Sequence, residues 1–125
     1  MGYESKIYIV NKTNVYYEDI GKKFSMKIAE FKLGKLGELG HDLSEYPETD
    51  CFLYMDDGNT PILEDKYGEP LTEISPYELV KKLYTTIGAG DKYERRSTFK
   101  LLFPLLHYLK MLPENENIVC LHYGY

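Results

Sequence analysis

The sequence predicts an α+β domain in which a mostly antiparallel sheet of about four to six strands carries two helices on one face. Runs rich in β-branched and aromatic residues occupy both ends of the chain, and a hairpin signal joins two such runs in the middle. Two helical patterns follow each other between residues 75 and 112. Helices grouped apart from the strands indicate an α+β fold. A length of 125 residues suits a single domain, residues 1–125, with one modest core.

The N-terminal third reads mainly as strands. The segment SKIYIVNK (5–12) predicts a first strand, and a turn with a short strand around Val15–Tyr17 follows. Residues 26–36 are ambiguous. Apolar and charged side chains alternate there, which favours a strand, whereas leucines spaced three apart could form a helical turn. That turn is disfavoured by Gly34, Gly37 and Gly40. We expect residues 40–50, GHDLSEYPETD, to form a polar loop.

The middle of the chain predicts a hairpin. DCFLYM (50–55) is a strand, and TPILED (60–65) is the returning strand, in which Pro61 indicates an edge position or a strand start. We expect Asp57 and Gly58 to adopt the positive backbone angles of a two-residue type I′ turn. A second turn at KYGE and a short strand in PLTEI follow.

The clearest helix covers residues 75–90. Ser75 is the expected N-cap, Pro76 is the first helical residue, and Glu78 completes a capping box, while Gly88 and Gly90 end the helix. Its apolar stripe consists of Leu79, Val80, Leu83, Tyr84 and Ile87.

A second helix is predicted at residues 92–112. Pro104 should kink or split it, and Pro113 should end it. Six leucines make this helix apolar enough to pack deep on the sheet: Leu101, Leu102, Leu105, Leu106, Leu109 and Leu112. The last segment, NIVCLHYGY, predicts a terminal strand.

Charge is segregated along the chain. Residues 38–78 contain twelve acids and one base, Lys66, so this segment carries −11, whereas the remainder carries +6. Such a segment is either a solvated acidic face or a negative patch that meets a positive partner. No apolar run is long enough to span a bilayer, and the N-terminal residues lack the order of a signal peptide. We therefore expect a cytoplasmic protein with reduced cysteines and no membrane partner.

The stretch YMDDGN (54–59) raises the question of metal chemistry, because the polymerase palm of reverse transcriptases presents two catalytic aspartates on a similar hairpin. Two-metal catalysis needs a further carboxylate from a neighbouring strand, and the first strand offers none beyond Glu4 at its edge. A calcium loop starting at Asp57 fails because Pro61 breaks the required alternation. Turn formation explains Asp56 and Asp57 without a metal.

A zinc site is the other metal hypothesis. Cys120 and His122 share one face of the last strand and could join Cys51 and His41 or His107, or they could form a nucleophile couple. Structural zinc sites usually have two close pairs, and the sequence has one. We interpret Cys120 as a core residue and expect no metal and no cofactor. Clustered bases could contact phosphate, but an isoelectric point of about 5.2 ranks nucleic acid below protein as a partner.

Three stretches carry a family resemblance. GYESKIYIV (2–10), DCFLYMDDGNTPILEDKYGEPL (50–71) and CLHYGY (120–125) resemble small, largely uncharacterised proteins of tailed phages and prophages of Gram-positive bacteria. The resemblance implies a small cytosolic protein made during infection or lysogeny. Many such proteins act by stoichiometric binding to host machinery, including CRISPR nucleases and other defence systems.

The expected function is therefore non-enzymatic inhibition of the anti-defence, anti-CRISPR-like type in the host cytoplasm. An acidic, tyrosine-rich region would occupy a basic surface of a host protein through Asp56, Asp57, Glu64, Asp65, Tyr67 and Glu69. Two alternatives stay open. One is a small metal-dependent nucleotidyl-transfer or nuclease enzyme that uses the YMDD hairpin. The other is a small-ligand-binding sponge in which tyrosines line a pocket and a homo-oligomer forms through the edge strand.

Overall fold

The computed structural model describes residues 3–87, 97–111 and 117–125. Within these ranges the chain forms six strands and three helices. In chain order these elements are β1 Ser5–Tyr17, β2 Lys22–Gly34, α1 Glu38–Ser44, β3 Cys51–Tyr54, β4 Pro61–Ile62, β5 Thr72–Ile74, α2 Pro76–Ile87, α3 Ser97–Met111 and β6 Ile118–Gly124.

The strands form one sheet in the order β4-β3-β2-β1-β6-β5. The long antiparallel pair β1–β2 is its centre, and β6 lies along the other side of β1, so that Ile9 is opposite both Ala29 and Cys120. β2 and β3 pair in parallel at Lys23 and Phe24, whereas the other strand pairs are antiparallel. The predicted α+β fold with a mostly antiparallel sheet is confirmed, and the sheet is mixed because of this one parallel pair.

Successive side chains of β1 point to opposite faces of the sheet, and this alternation creates two apolar clusters. Ile7 and Ile9 point towards the helices, where all three helices contribute buried leucines. Tyr8 and Val10 point to the other face, where the sheet curls into a half-barrel and β3 and β4 add the side chains Cys51, Leu53 and Ile62. The helices therefore lie on one face, as predicted, and the curled face is the concave one.

The first hairpin is longer than the sequence suggests. The predicted strand at Val15–Tyr17 forms, but as the end of β1, which continues to Tyr17; the turn predicted before it is wrong. The chain reverses at residues 18–21, where the N–H of Gly21 donates to the carbonyl of Tyr17 at 2.7 Å and Gly21 has a φ of 79°. The strand interpretation of residues 26–36 is confirmed as far as Gly34.

The predicted polar loop at residues 40–50 is wrong over its first half, because α1 begins at Glu38. Leu39 and Leu43 are buried and hold this helix on the core. Gly40 is also buried, and a methyl group there would lie 3.0 Å from the hydroxyl of Ser5 and 3.2 Å from the ring of Tyr3. Glycine disfavours an isolated helix, but here it avoids crowding against these two neighbouring side chains. The helix count is three within the described ranges, not two.

The two predicted helices form. The N–H of Glu78 donates to the hydroxyl of Ser75 at 3.1 Å, which confirms Ser75 as the N-cap and supplies one of the two hydrogen bonds of the predicted capping box. Gly88, Gly90, Leu112 and Pro113 lie outside the described residues. α3 continues through Pro104 rather than splitting. In its described length Leu102, Leu106 and Leu109 are buried as predicted, whereas Leu101 is 68% exposed. No helix among the described residues combines the length and apolarity needed to cross a membrane.

Candidate functional site

The concave face of the sheet carries two adjoining depressions, which together we call the concave groove. The first, of about 420 Å³, is lined by Lys6, Tyr8, Lys27, Glu30, Tyr54, Met55, Asp56, Asp57, Ile62 and Tyr123. The second, of about 480 Å³, is lined by Met55, Pro61, Ile62, Leu63, Glu64, Asp65 and Tyr123. The two share Met55, Ile62 and Tyr123, which form a continuous apolar and aromatic floor.

A β-bulge in β2 builds one wall of the groove. Ile9 pairs with Ala29 and Val10 pairs with Lys27, so Ile28 has no partner on β1. Without the bulge, Lys27 and Glu30 would point to opposite faces, since they are three residues apart. The extra residue directs both side chains to the concave face, and Ile28 itself is 48% exposed.

The ammonium group of Lys6 lies in a cage of tyrosine rings. Its Nζ is 5.5 Å from the ring centre of Tyr8 and 5.2 Å from those of Tyr123 and Tyr125. It is also 3.7 Å from a carboxylate oxygen of Glu30. Burial is the main cause that raises the pKa of Tyr8, and the charge of Glu30 is the second. Burial is also the main cause that raises the pKa of Tyr123 and Tyr125. These phenols are therefore hydrogen-bond donors at neutral pH, and each ring attracts cations through its face.

The hairpin tip carries the Asp-Asp pair. The loop is closed by the N–H of Met55 donating to Thr60 O at 2.8 Å, and the N–H of Gly58 donates to Met55 O at 2.9 Å. Asp56 and Asp57 are thus the central residues of the inner turn, and Gly58 follows them with a φ of 75°. The predicted two-residue type I′ turn at Asp57-Gly58 is wrong, because the loop is longer and built around this turn.

The two aspartates at the tip have different roles. Asp57 Oδ1 accepts the N–H groups of Asn59 and Thr60 at 2.8 and 2.9 Å, and its Oδ2 accepts the Thr60 hydroxyl at 2.6 Å. These three hydrogen bonds lower the pKa of Asp57, and the bond from the Thr60 hydroxyl has the largest effect. The side chain of Asp56 is 96% exposed and lies 3.3 Å from Lys27 Nζ. Asp57 therefore holds the loop, whereas Asp56 presents its charge to solvent.

Asp65 holds the second turn in the same way. It is 8% exposed, and its Oδ1 accepts the N–H groups of Tyr67 and Glu69 at 2.8 and 3.0 Å. Its own N–H donates to Glu69 O at 2.8 Å, which confirms the turn predicted at KYGE. Glu64 and Glu69 are exposed on either side of it. Tyr67 is 53% exposed, and its ring stacks on that of Tyr3 at 5.6 Å.

Charge is unevenly distributed along the groove. Five carboxylates and two ammonium groups line it, which gives a formal net charge of −3. Glu30 contacts both lysines, at 3.7 Å from Lys6 and 3.4 Å from Lys27, and Asp56 contacts Lys27. Among the ion pairs between described residues, none involves Asp57, Glu64 or Asp65. The first depression is thus nearly neutral, and the excess negative charge lies at the second.

The structure brings the predicted contact residues together. Asp56, Asp57, Glu64 and Asp65 all line the groove, and Tyr67 and Glu69 belong to the turn next to Asp65. Four of the six, Asp56, Glu64, Tyr67 and Glu69, present their side chains to solvent, whereas the carboxylates of Asp57 and Asp65 serve the turns.

The cysteine and histidine residues that were considered as metal ligands make other contacts in the structure. Cys51 and Cys120 belong to the two clusters on opposite faces of the sheet. His122 Nε2 is 2.9 Å from the hydroxyl of Ser5, and both residues are buried. His41 stacks on the ring of Tyr3 at 5.3 Å.

Among the described residues, a single group of three potential ligand atoms lies within 4.8 Å, from Asp50, Cys51 and Glu73. The cation at that place is the chain's own Lys12, whose Nζ is 2.8 Å from carboxylate oxygens of both acids. Burial would lower the pKa of Lys12, but hydrogen bonds to the two acids outweigh it and raise this pKa.

Sequence reasoning missed Lys6, Glu30 and Tyr123 as parts of the site. One signal was present, because Lys6 and Tyr8 alternate on the first strand and Tyr123 and Tyr125 alternate on the last. Their meeting depends on the pairing of Lys6 with Tyr123 across β1 and β6, which a local pattern does not reveal.

Searches of protein-family models, of curated proteins and of solved structures each found no match to this chain.

Proposed function

We propose that this chain is a non-enzymatic accessory protein of phage or prophage origin, of the anti-defence type, which acts in the host cytoplasm. In this proposal it inhibits a host protein by binding a basic surface of that protein in the concave groove. The supporting observation is the acidic end of the groove, where Glu64 is exposed beside a floor of Met55, Ile62 and Tyr123, and Glu69 is exposed on the adjoining turn.

The chemistry of this end suits arginine and lysine side chains. Carboxylates offer charge-assisted hydrogen bonds, and an apolar floor with a tyrosine ring packs against the stem and the cationic head of such a residue. The neutral end, with its paired lysines and acids, adds directional contacts without repelling a cationic partner. Nucleic acid is a poorer partner, because its phosphates would meet a net charge of −3.

A matched pair of charge reversals tests the proposal. The groove variant is Glu64→Lys with Glu69→Lys, and the control is Glu38→Lys with Asp42→Lys on α1; all four residues are exposed. Both variants change the net charge by the same amount on different surfaces. The wild-type chain first captures a partner from a lysate of a Gram-positive bacterium, and the partner is then purified for affinity measurements.

We expect the groove variant to raise Kd at least about tenfold, and the control to change it less than about threefold. The affinity of the wild type should also fall with salt, because exposed charges are screened. If both variants weaken binding equally, the interaction follows net charge and the groove is not its site. If neither weakens it, the proposal is wrong.

A second candidate function, small-ligand binding, is supported by the first depression. Its volume of about 420 Å³ falls within the usual range of ligand sites, and its walls combine tyrosine rings with paired charges. Native mass spectrometry of the purified chain would detect a retained small molecule, and Tyr123→Ala should release it. A wild-type mass equal to that of the bare chain would count against this candidate.

A metal-dependent enzyme has less support. Asp57 uses both carboxylate oxygens in its turn, which leaves Asp56 as the exposed acid of the pair. Calorimetric titration with Mn²⁺, using Asp57→Asn as control, decides the matter. Stoichiometric binding that the control abolishes would favour the enzyme over the binding protein.

A further inference from the structure

α3 is apolar on two opposite faces. Leu102, Leu106 and Leu109 are buried against the sheet. The other face carries Leu101, Tyr108 and Met111, which are 68%, 61% and 77% exposed, together with the exposed Pro104. A surface helix normally has one apolar face and one polar face. The exposed apolar residues on the outer face of α3 therefore indicate a site where a partner binds.

The outer residues have the spacing of a helix-packing seam. The intervals from Leu101 to Pro104, to Tyr108 and to Met111 are three, four and three residues, which is the spacing of the a and d positions of a heptad. The four side chains therefore form one stripe, about 15 Å long at the rise of an α-helix. We call it the outer stripe of α3.

The outer stripe is complementary to itself. If two copies of α3 pack antiparallel about a twofold axis at the level of residue 106, Leu101 of one copy faces Met111 of the other, and Pro104 faces Tyr108. Each contact then joins a long flexible side chain with a branched one, or a small ring with a large ring. Isologous interfaces require this kind of self-complementarity.

The exposed area agrees with a reversible dimer. Large side chains bury about 150–200 Å² when fully covered, so the three large residues of the outer stripe present roughly 350 Å² per copy. Two copies supply about 700 Å² of apolar core, and flanking residues such as Lys100 add a rim. This area is below the roughly 1,200 Å² of stable interfaces and belongs to the weak, transient class.

We infer that the outer stripe of α3 is the interface of a homodimer, in which two copies pack their α3 helices antiparallel. The inference concerns the helix side of the sheet and does not depend on the function of the concave groove. Its expected strength is a Kd on the order of 1–100 μM, in keeping with the modest area.

Sedimentation velocity of the purified chain tests the dimer across about 5–500 μM. The stripe variant is Leu101→Glu with Met111→Glu, and both positions are exposed enough to accept the change without unfolding. The control is Met26→Glu with Ile28→Glu on β2, where the side chains are 59% and 48% exposed. We expect the stripe variant to raise Kd at least about 100-fold and the control to leave it unchanged. Circular dichroism verifies that each variant is folded.

Cross-linking tests the antiparallel arrangement. Chains with Leu101→Cys and chains with Met111→Cys are mixed in equal amounts and treated with a short bismaleimide. The native cysteines are buried, Cys51 at 1% and Cys120 at 0% exposure, so they should not react. The mixed product should exceed the self-products.

Three results would overturn the inference. One is a wild type that remains monomeric at about 500 μM, which would leave the stripe to another partner. The second is a dimer that the stripe variant does not weaken. The third is self-products that equal or exceed the mixed product.

Discussion

Acidification should destabilise this protein through His122. The imidazole is 3% exposed, and its Nε2 lies 2.9 Å from the hydroxyl of Ser5. Burial lowers the pKa of His122 from 6.5 to about 4, and the charge of Asp65 opposes this effect only in part. The folded protein therefore keeps the imidazole neutral under conditions in which the unfolded chain protonates it.

The size of the effect follows from the two pKa values. Between pH 6.5 and pH 4 the unfolded state binds a proton that the folded state does not, so the free energy of unfolding falls as the pH falls. The stabilisation is fully present above pH 6.5. The loss reaches about 2 kcal/mol at pH 5 and about 3 kcal/mol below pH 4, since each pKa unit corresponds to about 1.4 kcal/mol.

Urea denaturation of the wild type and of His122→Gln, followed from about pH 7 to about pH 5, measures this loss. The amide of glutamine can still bond to Ser5 but does not titrate in this range. We expect the wild type to lose about 2 kcal/mol more than the variant over this interval. Carboxylates that titrate at lower pH affect both proteins equally. Asp50 is one of them, because its hydrogen bond to Lys12 is the main cause that lowers its pKa. Parallel loss of stability in the two proteins would refute the assignment of a buried neutral imidazole.

Three further predictions concern stability and reactivity. Lys12→Met should lower the free energy of unfolding by about 1–2 kcal/mol in urea melts, because two partly exposed carboxylates lose a cation at 2.8 Å. Gly124→Ala should cost about 1–3 kcal/mol, because the new methyl group would overlap the ring of Tyr3. In a Tyr3→Ala background the same urea melts should show little of this cost. Burial raises the pKa of both cysteine thiols, so a disulfide-exchange reagent should label neither in the native protein and both in urea. Rapid labelling of the native protein would contradict their burial.

Local chemistry was enough to predict the elements that depend on neighbouring residues. The N-cap bond at the start of α2 needs only the Ser75 hydroxyl and an N–H three residues later, and it forms at 3.1 Å. The alternation in residues 26–36 identifies a strand because one face of β2 packs on the core. The turn at KYGE follows from an aspartate that can accept N–H groups two and four residues ahead.

Elements that depend on distant contacts were missed. α1 contains Gly40, and its propensity is poor, but Leu39 and Leu43 lie on the core, and a methyl group at Gly40 would be crowded by the side chains of Ser5 and Tyr3. The bulge at Ile28 has no sequence signature, although it places Lys27 in the groove. Sequence also cannot distinguish an acid that serves a turn, such as Asp65, from one that faces solvent.

The Asp-Asp hairpin shows why a short motif needs its surroundings. In a two-metal site, both aspartates would point their oxygens at ions shared with a third carboxylate. Here Asp57 directs its oxygens into its own loop, and Asp56 meets the ammonium group of Lys27. The bulge that directs Lys27 to this face thereby gives Asp56 a cationic neighbour. The charge of Asp56 is the property that a partner could use.

The two proposed surfaces lie on opposite sides of the molecule, and this arrangement has a consequence for binding. The outer stripe of α3 points away from the sheet, whereas the concave groove lies on the other face. A dimer through α3 would therefore present two unobstructed grooves. The two grooves open in opposite directions, so one dimer can bridge two separate partner molecules but cannot place both grooves on the same flat surface. The stripe variant Leu101→Glu with Met111→Glu should then lose the ability to bridge partner-coated beads but keep the wild-type Kd for partner in dilute solution. An equal loss in both assays would mean that the outer stripe itself contacts the partner.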